Sequence, residues 1–72
     1  MIGYLEGTLK ETSSKSALLL VSGVGYRVFA TGNTLELLVK HNGTIGLYIH
    51  TAVREDALDL YGFLSKEDRD LF

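Results

Sequence analysis

The sequence predicts an all-β fold, a small closed barrel of five strands with one short helix between the third and the fourth. Apolar and polar side chains alternate with a period of two along much of the chain, most cleanly from Ile45 to Arg54. Eight glycines and no proline divide the 72 residues into strand-length pieces. Helical spacing of apolar residues occurs centrally only at Leu35, Leu37, Leu38 and Val39.

Ile2, Tyr4, Leu5 and Leu9 mix with Glu6, Lys10 and Glu11 in a first strand, and Gly3 and Gly7 within it predict a bulge or a close backbone approach. Glu11–Lys15 is polar and reads as a hairpin loop. Ala17–Val21 is a continuous apolar run, as expected of a strand buried on both faces or closing a small barrel. Ser22-Gly23 is a short turn, after which Val24, Tyr26, Val28 and Ala30 alternate with Gly25, Arg27, Phe29 and Thr31 in a half-buried strand. The helix follows, read as a single turn capped by Asn33 or Thr34. His41-Asn42-Gly43 marks a turn, and Ile45, Leu47, Ile49, Thr51 and Val53 form one face of the longest strand. Glu55-Asp56 stands where a tight reversal is expected, and Ala57–Leu64 is the fifth strand. Ser65-Lys66-Glu67-Asp68 has the form of a capping box, a hydroxyl with a carboxylate three residues on, and starts a C-terminal helix. Five strands with the helix after the third fit the OB-fold, whose closure removes exposed edges; an SH3-like barrel is the other architecture considered.

Composition bounds what such a domain does. A chain of 72 residues buries only roughly 60% of its unfolded surface, so small folds of this size lean on staples or partners. There is no cysteine, which excludes disulfides and thiolate metal sites, and two histidines make a poor zinc site. Oligomerisation is therefore the expected supplement. The net charge is −2, against a basic nucleic-acid-binding face. It is unevenly spread: residues 1–54 hold five basic and three acidic side chains, whereas residues 55–72 hold two basic and six acidic. No apolar run reaches transmembrane length and Met1–Tyr4 does not open a signal peptide, so a cytoplasmic protein without membrane contact is expected.

Glu55 and Asp56 are the first candidates for chemistry. Paired carboxylates act as acid and base when their environments separate their pKa values, but neighbours on a strand face apart, and no His, Lys or Ser lies near in sequence. A solvated hairpin tip, or a non-catalytic electrostatic role, fits them better. Gly23-Val24-Gly25 lacks the third glycine and the following helix of a dinucleotide fingerprint, so it reads as a turn followed by a strand glycine over which a neighbouring chain passes. His41 reads as a surface loop residue and His50 as a partly buried strand residue. Tyr4, Tyr26, Tyr48, Tyr61, Phe29 and Phe63 could stack single-stranded nucleic acid, but few Lys or Arg interleave with them, and packing explains them more simply.

Four segments, taken together, resemble the RuvA family, bacterial proteins that hold four-way DNA junctions during branch migration. Met1-Ile2-Gly3-Tyr4-Leu5-Glu6-Gly7 is similar to the family's opening M-I-G-x-L-x-G. Gly23-Val24-Gly25-Tyr26 with Val28 is similar to its G-V-G-Y-x-V, with Ser22 where many members carry Gly. Residues Val53 to Phe63 are similar to V-R-E-D-A-x-x-L-Y-G-F, the most specific of the four, and Glu67 to Phe72 to E-x-R-x-L-F.

The resemblance implies an N-terminal OB-fold domain over residues 1–64, with residues 65–72 starting the link to a helix-hairpin-helix domain that is absent here. It implies a homotetramer in which Glu55 and Asp56, flanked by Arg54, form an acidic pin where DNA strands cross. It also implies work in DNA recombination, DNA repair and the SOS response. The partners implied are junction DNA, gripped mainly by downstream domains, the RuvB motor and the RuvC resolvase. Neither cofactor nor catalysis is expected of the domain, and no P-loop for ATP occurs in it. The alternative carried forward is a stand-alone OB-type module for single-stranded nucleic acid. By itself the 72-residue chain is expected to bind junctions weakly or not at all.

Overall fold

The computed structural model describes residues 2–41, 43–54 and 56–71. Five strands, β1 (Tyr4–Thr12), β2 (Ser16–Val21), β3 (Val24–Phe29), β4 (Thr44–Arg54) and β5 (Ala57–Phe63), close into a barrel in the order β1-β2-β3-β5-β4. Helix α1 (Gly32–Lys40) joins β3 to β4, and α2 (Lys66–Leu71) follows β5. This is the OB topology that the element order predicts. All neighbouring strands run antiparallel except β3 and β5, which meet in parallel through Val28 with Leu60 and Phe29 with Tyr61.

The core follows from strand alternation. Leu5, Ala17, Leu19, Val28, Ile45, Leu47, Ile49 and Leu60 point inward from all five strands and are buried. Each large one contributes about 1.5–3 kcal/mol when fully withdrawn from water. The β2 run is not buried on both faces. Leu19 is buried, but Leu18 is only half-buried and Leu20 is exposed. A barrel wall has one inner face, so every second residue of the run faces out whatever its type.

Gly7 has a steric purpose, since a Cβ there would fall 2.2 Å from the Leu20 carbonyl oxygen of β2. The bulge in β1 lies elsewhere, at Lys10, where pairing slips between Leu9 with Leu19 and Glu11 with Leu18. Glu11 and Thr12 also pair with β2, so the first hairpin loop is shorter than its polar stretch. Ser22 and Gly23 both take positive φ, 50° and 84°, as a two-residue turn matched to strand twist requires.

Helix α1 spans nine residues rather than one turn. Its cap is Thr31, not Asn33 or Thr34: Thr31 keeps extended backbone, and its Oγ1 accepts the Thr34 N–H at 3.3 Å. Leu35 and Leu38, three apart on one face, enter the end of the barrel, and this burial sustains a helix too short to persist alone. In α2, the Asp68 N–H donates to Ser65 Oγ at 3.2 Å, as the capping box predicts. The N-terminal segment is tied to β4. The Ile49 N–H donates to the Gly3 carbonyl at 2.9 Å, and Thr51 Oγ1 to the Ile2 carbonyl at 2.7 Å. No helix among the described residues is long and apolar enough to cross a membrane.

A candidate DNA-facing hairpin

The parallel seam fixes which features share an end of the barrel. Strands β3 and β5 start together, so Val24 and the turn before β5 lie at one end. Helix α1 connects the end of β3 to the start of β4 and closes the opposite end. The β4–β5 hairpin projects from the open end. Its pairs run Ile49 with Gly62, Thr51 with Leu60, Val53 with Leu58 and Arg54 with Ala57. Ile49 and Leu60 are buried in the barrel, whereas Val53 and Leu58, further along the same face, are exposed. The hairpin has therefore left the core by the time it turns.

Asp56 occupies that turn and is exposed. Glu55, the other carboxylate picked out by the sequence, lies outside the described residues. Arg54 closes β4 on the outer face, and its guanidinium forms an ion pair with Asp59 of β5. The two are diagonal neighbours on this face, because Arg54 pairs with Ala57 and Ala52 with Asp59. The Arg54 side chain is 66% exposed and that of Asp59 16%. The sequence reading missed Asp59. The signal that finds it is a cation and a carboxylate five positions apart across a two-residue reversal.

The aromatic residues gather mainly on the outer wall, but they pack on each other. Tyr4 and Tyr48 meet edge to face at 5.2 Å, Phe29 and Tyr61 lie 5.8 Å apart, and the Arg69 guanidinium covers Tyr48 at 5.5 Å. Tyr4, the exposed one, donates its hydroxyl to Glu6 Oε1 at 3.1 Å, which holds its pKa above the ordinary tyrosine value. His50 is exposed on this wall rather than partly buried, with its ring 6.5 Å from that of Tyr61. His41 ends α1 at the surface and bonds the Thr44 carbonyl through Nε2 at 3.2 Å. Over Gly25 lies a side chain, that of Leu18, and not a neighbouring backbone. Among the described residues no three His, Cys, Asp or Glu side chains stand together as metal ligands.

The arrangement offers a projecting acidic turn, an apolar pair beneath it and an ion pair beside it. Comparison with known proteins finds matches along the whole chain. The family model for the RuvA N terminal domain matches residues 1–62. The Holliday junction branch migration complex subunit RuvA of Bdellovibrio bacteriovorus is 52% identical over 73 aligned positions, which cover all of this chain and 37% of the relative. The proteins of the same name from Legionella pneumophila strain Corby and from Maridesulfovibrio salexigens are 52% and 41% identical, again over the whole chain. The chain thus spans a little over a third of the length of these relatives, 36–37%. With the barrel topology and the whole-length match in agreement, the chain belongs to the RuvA N-terminal domain family.

Proposed function

We propose that this domain is the assembly platform of a subunit that binds four-way DNA junctions and takes part in branch migration. In this reading Glu55 and Asp56, with Arg54 beside them, form an acidic pin at the point where strands cross. The observation that carries the proposal is the exposed Asp56 at the turn of a hairpin that has already left the barrel core. The names of the relatives supply the junction and the complex.

The chemistry is repulsion, not catalysis. A phosphate about 4 Å from a carboxylate costs roughly 1 kcal/mol in water and about 4 kcal/mol at the effective dielectric of a protein surface. A duplex laid across the pin meets that cost. A junction, whose strands part at its centre, avoids it by turning them outward. Selectivity then arises from what the pin rejects, while attraction comes from helix-hairpin-helix domains beyond residues 65–72, which start the link to them. Val24, Val53 and Leu58, apolar and exposed at the open end, are the surface assigned to contact with other copies in a homotetramer. In the cytoplasm such an assembly would work with the RuvB motor and hand junctions to the RuvC resolvase.

The test is a Glu55→Gln, Asp56→Asn variant of the full-length protein carrying this domain. It should fold normally, and its preference for a synthetic four-way junction over duplex DNA should fall. Unchanged preference together with unchanged branch migration ends the pin reading. The single-stranded reading gains less from the structure, because four of the rings it needs for stacking bases already pack in pairs, Tyr4 with Tyr48 and Phe29 with Tyr61.

A further inference from the structure

An acidic turn flanked by an arginine poses an electrostatic problem. A guanidinium beside the carboxylates would cancel part of the charge that repels phosphate. Arg54 is the residue so placed in sequence, yet its guanidinium lies against Asp59, which sits opposite Ala52, two pairs further from the turn. The Asp59 side chain is mostly withdrawn from water while that of Arg54 is mostly in it. A desolvated carboxylate gains more from a counter-charge than an exposed one, so the pairing draws Arg54 back toward Asp59.

We propose that Asp59 is a positioning residue for junction selectivity: it holds the Arg54 guanidinium back along the outer face of the β4–β5 hairpin, away from Asp56 in the turn. The inference rests on the pin reading and deepens it. Asp59 touches no DNA in this scheme and acts only through Arg54. Freed of Asp59, the guanidinium reaches the turn, lowers the repulsion and admits duplex. An exposed ion pair biases side-chain placement by up to about five-fold, which sets the scale of the effect.

The experiment is a cycle of variants in the full-length protein carrying this domain, read as the ratio of affinities for a synthetic four-way junction and for a duplex of equal length at fixed salt. Asp59→Asn should lower that ratio about two- to five-fold, and Asp59→Glu, which keeps the charge, should largely retain it. In an Arg54→Gln background Asp59→Asn should have no further effect. An equal drop in both backgrounds would overturn the proposal, because it means that Asp59 acts by its own charge alone. Thermal unfolding of each variant separates loss of fold from loss of selectivity, and a well-folded Asp59→Asn protein with an unchanged ratio also overturns it. Glu55→Gln, Asp56→Asn serves as the reference. If that variant loses selectivity while Asp59→Asn does not, this inference fails and the pin stands; if that variant too keeps its selectivity, the pin reading itself has failed.

Discussion

Where β3 gives way to β4, α1 lowers Leu35 and Leu38 into the barrel and leaves them 6% and 2% exposed; at the other end Val24, Val53 and Leu58 remain 52%, 65% and 60% exposed. The same kinds of side chain sit at both ends, and what differs is the cover. A helix closes the first end, so its leucines hold the fold together. No helix among the described residues closes the second, so its apolar residues contribute little to the folding of one chain and stay available to a neighbour. The acidic turn belongs to this second end. Stability is concentrated at one end, and the proposed contact with other copies lies at the other, where substitutions disturb the core least.

That contrast can be broken by experiment, and the largest effect should come from the closed end. Leu38→Ala empties a fully packed site and should lower the unfolding free energy by about 3 kcal/mol, read from urea denaturation. A loss below about 1 kcal/mol would mean that α1 does not close the barrel in solution. Thr31→Ala, which removes the cap on which α1 starts, should cost about 1 kcal/mol in the same assay. The smallest effect belongs to the open end, where Leu58→Ala should change stability by no more than about 0.5 kcal/mol. Sedimentation sharpens the last case. In a full-length protein carrying this domain, Leu58→Ala should weaken self-association while the fold is preserved. Unchanged assembly would remove Leu58 from the subunit contact.

Much of this architecture was legible in the residues. Ile45, Leu47 and Ile49 announce β4 because a wall strand with one buried face writes its period directly into the chain. Residues 17–21 were harder, since an apolar side chain at Leu18 or Leu20 looks the same in sequence whether it faces the core or the solvent. Helix α1 is longer than its residues suggest because Gly32 and Asn33 are weak helix formers, and the burial of Leu35 and Leu38 that offsets them exists only once the barrel does. The site divides likewise. Asp56 at a reversal between two strands is local information, whereas the pairing of Arg54 with Asp59 depends on hairpin register and on burial that no local pattern records.

The Gly3 carbonyl accepts hydrogen bonds from the Ile49 N–H and from Arg69 Nη1, the latter 66 positions away at 3.2 Å. Its consequence is one of time. Neither bond can form until segments far apart in sequence have met, and domains ruled by such distant contacts fold in roughly milliseconds to seconds rather than microseconds. The segment before β1 is therefore held by partners that arrive from the far half of the chain, whereas β1 itself has a near neighbour in β2.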